Sequence, residues 1–181
     1  MEKFQAIQPS LLLAPYVRQY WFLSLDGMGE KAQRFMPAGS GGLVFNRSTT
    51  SSTVNQLQQK SHIFGQLSMY TDLVFDSFDL IIVVFQPIGA SMFFRMPMNE
   101  LKGQTVSFDL LNDQAFMDLE NQLKSVTDSY ISVNLIEKYL LNRIHHVKEY
   151  NYKRLISVFN AINSGENNIS QLAQSACLEY K

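Results

Sequence analysis

LIIVVFQP, residues Leu80–Pro87, is the stretch on which the fold turns. Its six leading residues are all apolar, four of them β-branched, so the run reads as a strand covered on both faces. Such a run is far too short to span a bilayer. Pro87 closes it, and beyond that point apolar residues recur at helical instead of strand spacing. Strands come first and helices after, the order of an α+β chain with an antiparallel β-barrel or sandwich in front.

Upstream, VRQYWFLSL (Val17–Leu25) alternates, which places Val17, Gln19, Trp21, Leu23 and Leu25 on one face. GGLVFN (Gly41–Asn46) follows a turn cluster at residues 37–42, and HIFGQL and TDLVFDSFD continue the strand pattern. The polar, Ser/Thr-rich stretch between Asn46 and Ser61 reads as an exposed hairpin or loop.

Downstream, DQAFMDLENQLKSV puts Phe116, Leu119 and Leu123 on one helical stripe, with Asn112 or Asp113 as the cap. DSYISVNLIEKYLLNRIHHV is capped by Asp128 and carries Ile131, Leu135 and Tyr139 on a stripe that Ile136 and Leu140 broaden. That width suits a helix with one edge on the β domain and the other against a second copy about a two-fold axis, and it also suits full burial in a monomer. A third helix, YKRLISVFNAINSG, carries Leu155, Phe159 and Ile162 and ends at Gly165.

In NNISQLAQSACLEYK, Asn168 caps a short helix and Gln171 is placed to reach back to it. Leu172 and Ala176 share a face with Ala173 beside them, small enough for a second helix to cross closely. Cys177 and Leu178 then make a turn, and Glu179 stands where the next helix begins. The pattern suits the opening of a helix-turn-helix, and it suits as well an ordinary amphipathic helix that closes the core.

The 181 residues carry 15 basic and 16 acidic side chains, a formal charge of −1, and the part from Val126 onward is also close to neutral. No basic patch suited to a polyanion is visible. With 46% hydrophobic residues, 13 Phe and 8 Tyr, there is ample material for a core. Cys177 is the only cysteine, which excludes an internal disulfide and suits a reducing cytoplasm. The N-terminus shows no charged-then-apolar leader pattern.

The sequence points away from catalysis, metal or cofactor. His62 is the only histidine in the strand half, while His145 and His146 are helix neighbours about 100° apart and cannot easily share an ion. Ser40 in AGSGG lacks both the strand–Ser–helix elbow of a hydrolase and the lysine of a phosphate loop. Asp72, Asp76 and Asp79 read as solvated strand ends. Trp21, Phe45 and Phe85 fall on strands that a barrel would pair, with Gln19 and Gln86 as polar handles. They suit an apolar pocket for a small, mostly apolar or aromatic effector, not a sugar; packing in an interdigitated core explains the same residues with no ligand and is the favoured reading of them. Met92, Phe93, Phe94 and Met96 offer soft, gap-filling bulk.

Five segments together resemble the AraC/XylS family of bacterial transcription regulators: LAPYVRQYW at Leu13–Trp21, FMPAGSGGLVFN at Phe35–Asn46, FGQL at Phe64–Leu67, VFQPIGASMFFRMPMNEL at Val84–Leu101, and ISQLAQSACLEYK at the end. The resemblance implies a cupin-like sensor domain at 1–111, a helical dimerisation and linker region at 112–164, and the start of a truncated helix-turn-helix domain at 165–181. It implies a cytoplasmic homodimer that senses an effector and touches DNA only through residues that follow, so this chain is not expected to bind duplex DNA specifically. Two positions depart from the family: Ala38, where an acidic residue is common, and Glu179, where a serine usually caps the recognition helix. A stand-alone small-molecule binder or enzyme of the cupin type is the alternative.

Overall fold

The computed structural model describes residues 2–25, 31–36, 39–48, 60–75, 77–94, 98–144 and 149–178. The polar loop expected after Asn46 lies mostly outside them, as do Ala38, Asp76, Met96, His145, His146 and Glu179. Two compact units form, Met1–Ile144 and His145–Lys181.

The first unit contains β1 (Lys3–Ile7), β2 (Val17–Leu25), β3 (Lys31–Phe35), β4 (Gly42–Asn46), β5 (His62–Phe64), β6 (Thr71–Phe75), β7 (Phe78–Phe85) and β8 (Thr105–Ser107). Its helices are the single turn α1 (Ala90–Phe93), a 3-10 turn at Phe108–Leu111, α2 (Gln114–Ser125) and α3 (Ser129–Leu141). The fold is α+β: a six-stranded antiparallel sheet in the order β1-β2-β7-β4-β5-β8, a separate β3–β6 ribbon, and helices after the strands. Among the described residues no helix is long and apolar enough to cross a membrane.

Strand β7 is central because LIIVVF is apolar on both faces. It pairs with β2 on one side and β4 on the other, and all but Asp79 of its residues are buried. In the β2–β7–β4 ladder opposite residues share a face. Tyr20, Phe22, Leu43, Phe45, Ile63, Ile81, Val83 and Phe85 fall on the first face by this register, and all are buried. Helix α2 packs there through an aromatic cluster, with Phe116 against Phe45, Phe94 and Phe108. Phe116, Leu119 and Leu123, the expected stripe, are all buried. Asp113 is the cap, accepting from the Phe116 amide at 3.3 Å, and its carboxylate also pairs with Arg143 from the end of α3.

Polar contacts fix where α3 sits. Asp128 caps it, accepting from the Tyr130 and Ile131 amides at 2.8 and 2.9 Å. Glu137 accepts from the Ser10 backbone amide at 2.7 Å and from the Tyr20 hydroxyl at 3.3 Å, joining the helix to the β1–β2 connection and to β2. Burial and the nearby Glu137 carboxylate push the Tyr20 hydroxyl well above its ordinary pKa, so it remains a donor. Arg47 holds Asp79 at 2.7 Å and the Val126 carbonyl at 2.9 Å, tying β4 and β7 to the end of α2.

The second unit is a helical hairpin, α4 (Glu149–Asn163) and α5 (Ile169–Ser175). α4 closes on Gly165, at φ +92°, with the Glu166 amide donating to Ala161 O and the Gly165 amide to Ile162 O, the paired bonds of a Schellman motif. α5 ends in the same way without a glycine. Cys177 takes the left-handed position at φ +53°, and the Leu178 amide donates to Ala173 O at 2.8 Å. Asn168 caps α5, accepting from the Ser170 and Gln171 amides. The reciprocal bond expected from Gln171 is made instead by Glu166, whose carboxylate accepts from the Asn168 amide at 2.7 Å. Arg154 and Ser157 of α4 donate to the Ala176 and Ser175 carbonyls, so α4 satisfies the free end of α5. α4, assigned by sequence to a linker ending at 164, therefore groups with α5, and the chain divides at 144/145.

Candidate functional site

The sheet separates the residues expected to share a pocket. Phe45 and Phe85 face the helices and are completely buried, Phe45 stacked on Phe116 at 5.7 Å and Phe85 on Phe93 at 5.4 Å. They form packed core and line no common wall with Trp21. Gln86 lies past the end of β7, where its side chain donates to Ala14 O at 3.4 Å and its amide to Tyr16 O at 2.8 Å, steadying the β1–β2 connection.

Gln19 and Trp21 lie on the opposite face. A bulge between Val17 and Gln19 breaks the alternation of β2, so that Val17 pairs with Phe85 whereas Gln19 pairs with Val84. Val17 thereby joins the helix-facing core, and it does not share the Trp21 face as unbroken alternation predicts. On this second face Leu25, Val44, Phe78, Leu80, Ile82 and Val84 make an apolar floor, with Trp21, Leu23 and Phe64 partly buried against it. Phe4 of the edge strand adds an edge-on ring 6.2 Å from Trp21. The indole Nε1 donates to Gln19 Oε1 at 3.0 Å. Among the described strand residues on this face none is charged. The face is thus a second apolar cluster, bordered by the neutral polar side chains of Gln19 and His62.

Over residues 5–107 the sequence matches the family described as a domain of unknown function, DUF6597. The chain belongs to the DUF6597 family. The DUF6597 region runs from within β1 to the last residue of β8, so the second face apart from Phe4, with Gln19, Trp21 and His62, lies inside it. Helices α2 and α3 and the second unit lie beyond it. No curated protein and no solved structure matches the chain.

Sequence reading passed over His62 as an ordinary strand residue and did not find β1, so neither His62 nor Phe4 entered the expected site. Within the DUF6597 sheet His62 pairs with Val44, which puts its ring on the Trp21 face. Its Nδ1 lies 2.8 Å from Lys60 O. A carbonyl only accepts, so Nδ1 carries the proton and the neutral ring presents Nε2 as an acceptor. Burial holds the imidazole below its ordinary value of 6.5, with the Lys60 carbonyl pulling the other way. The unfolded chain therefore takes up this proton at higher pH than the folded chain does. The stability His62 contributes is full above about pH 6.5 and falls as pH drops from there through the lower folded-state value. We expect the urea midpoint to decline with acidification across that window more steeply than in His62→Gln. Equal slopes would mean that His62 titrates as it does in water.

The three residues expected to form a dimer surface also divide. Ile131 is 52% exposed and Leu135 half-buried, but Tyr139 is only 8% exposed and packs edge-on against Phe116 at 5.0 Å. Tyr139 belongs to the core with Ile136 and Leu140, not to an outer stripe. In the second unit Ala176 is buried, Leu172 and Ala173 half-buried, and Asn168 exposed at its capping position. Among the described residues no three His, Cys, Asp or Glu side chains gather as a metal site.

Proposed function

We propose that this chain is the effector-sensing and dimerisation part of an AraC-like transcription regulator, without catalytic activity, whose DUF6597 sheet curls in the cupin manner to take a small, mostly apolar effector on its Trp21 face. The observation that carries the reading is the α4–α5 hairpin. Helix α5 opens on the Asn168 cap and closes on a left-handed Cys177, and the small Ala173 and Ala176 sit where a crossing helix would need close approach. In this reading α5 positions, and bases are read by residues that follow the Cys177 turn.

The effector half of the reading is supported by the uncharged second face and tested by a thermal-shift screen. Neutral apolar and aromatic compounds are expected to raise the unfolding temperature, a ligand at a hundred times its dissociation constant adding about 2.7 kcal/mol. Stabilisation by polyhydroxylated compounds alone would overturn it, because a sugar needs several buried polar partners. The dimer half rests on the edge of α3 that Ile131 and Leu135 leave uncovered. Sedimentation at tens of micromolar is expected to give a dimer that Ile131→Glu converts to a folded monomer; a monomeric parent would sink this part.

A second reading, a free-standing small-molecule binder of the cupin type, is favoured by one fact: the family match covers the sheet and stops before α2. Hydrogen exchange separates the two, since a regulator transmits ligand binding to the α5 amides and a free-standing binder leaves them unchanged.

A further inference from the structure

The six-stranded sheet ends on two unequal edges. β8 is three residues long and runs straight into the 3-10 turn at Phe108–Leu111. β1 is five residues long, and its register on β2 is unbroken from Lys3 opposite Ser24 to Ile7 opposite Tyr20. Among the described residues β1 pairs only with β2. Lys3, Phe4, Gln5 and Ala6 are all exposed, Phe4 by 62%. Such an edge offers a row of backbone N–H and C=O groups to another strand, and natural sheets protect it with a proline, a bulge or charges. β1 has neither proline nor bulge, and its single charge, Lys3, stands at its end.

We propose that β1 is the centre of the dimer interface. Two copies pair this strand with itself, antiparallel about a two-fold axis at Gln5, and the six strands of each copy join in one continuous sheet. This rests on the dimer reading above and names its surface. The sequence of β1 is self-complementary in that register. Lys3 falls opposite Ile7 of the second copy, Phe4 opposite Ala6 of the second copy, and Glu2 opposite Gln8 of the second copy. No like charges meet, and each bulky ring faces a small side chain. Pro9 ends the pairing. The α3 edge alone offers Ile131 and Leu135, far below the roughly 20–30 residues a side of a standard interface. β1 extends it without a gap. Ser129 Oγ donates to Gln5 Oε1 at 2.9 Å, so the start of α3 stands beside the axis, with Tyr130 64% and Ile131 52% exposed. A second copy fits this edge because two-fold pairing uses the one long edge of each copy, and assembly closes at two.

Gln5 is the test position, since its side chain is exposed and on the axis it meets its own counterpart. In sedimentation of the full chain, Gln5→Lys and Gln5→Glu are each expected to weaken the dimer about tenfold, because each sets like charges face to face. Both variants should keep the circular dichroism of the parent, and an equimolar mixture of the two should recover the dimer. On the unaltered chain, every second β1 amide should gain hydrogen-exchange protection as concentration rises through the dimer range, whatever the variants do. A dimer that Ile131→Glu breaks, but that neither Gln5 variant weakens and that leaves the β1 amides unprotected, overturns β1 pairing and keeps the dimer reading. Weakening without rescue in the mixture, or a dimer strengthened by Gln5→Glu, overturns the axis at Gln5. A monomeric parent overturns both and leaves the edge to a strand of another protein.

Discussion

Phe116→Ala is expected to lower the unfolding free energy of the Met1–Ile144 unit by about 3–5 kcal/mol. Phe116 is completely buried and lies at the junction of sheet and helices. Its ring centroid lies 5.7 Å from that of Phe45 on β4, 3.7 Å from Phe108, 6.3 Å from Phe94 and 5.0 Å from Tyr139 on α3. Truncation removes the transfer energy of one ring and opens a cavity that rigid neighbours fill poorly. It also removes aromatic pairs worth about 0.5–1.5 kcal/mol each beyond their buried area. Leu11→Ala, at a side chain 93% exposed, should change stability by no more than about 0.5 kcal/mol. Urea unfolding compares the two. A loss below about 1.5 kcal/mol for Phe116→Ala would place the ring at the margin of the packing, against the geometry.

Gly65→Ala is expected to be as damaging, for a reason of backbone and not of side chain. A Cβ at Gly65 would stand 1.6 Å from the Leu101 carbonyl oxygen. Relief requires the Met98–Gln104 turn to move away. That motion breaks the Gly65 amide bond to Gln104 O and the Gly103 amide bond to Gln66 O, both at 3.0 Å. Overpacking costs about 1–3 kcal/mol and each lost bond roughly 0.5–1.5 kcal/mol. Because this turn leads directly into β8, we expect loss of protection at the β5–β8 amides in hydrogen exchange along with a lower melting temperature. Normal β5–β8 protection in Gly65→Ala would show that the turn is free to shift.

Much of the strand half was legible because burial leaves a mark on residue order. Phe78–Phe85 is apolar on both faces since a central strand meets packing on both, and β2 buries Tyr20 and Phe22 two residues apart, on one face, as a strand does. The caps at Asp113, Asp128 and Asn168 were legible for a local reason: a short polar side chain satisfies amides only two or three residues ahead. Strands β1, β3 and β8 went unread. KFQAI and KAQRF each place a charge in a short run, and TVS is too brief to show a period.

The candidate site was legible by residue and not by grouping. Trp21 and Gln19 are neighbours as expected, yet Phe45 and Phe85 turned out to belong to the opposite face. His62 became relevant only through its pairing with Val44. Residues from four strands meet in one row, and their register depends on hydrogen bonds between segments far apart in the chain.

The sequence by itself determined the order of strands before helices, the central place of Leu80–Phe85, the buried stripe of α2 and the helix caps, because periodicity and capping are set by residues within a turn or two of each other. Tertiary structure alone decided which face each strand residue occupies. The one extra residue at the Val17–Gln19 bulge reverses the side on which Val17 falls, and alternation counted along the chain has no means of registering it. It also decided that Tyr139 is core and Ile131 surface, since a broad apolar helix face does not say how much of itself the sheet will cover.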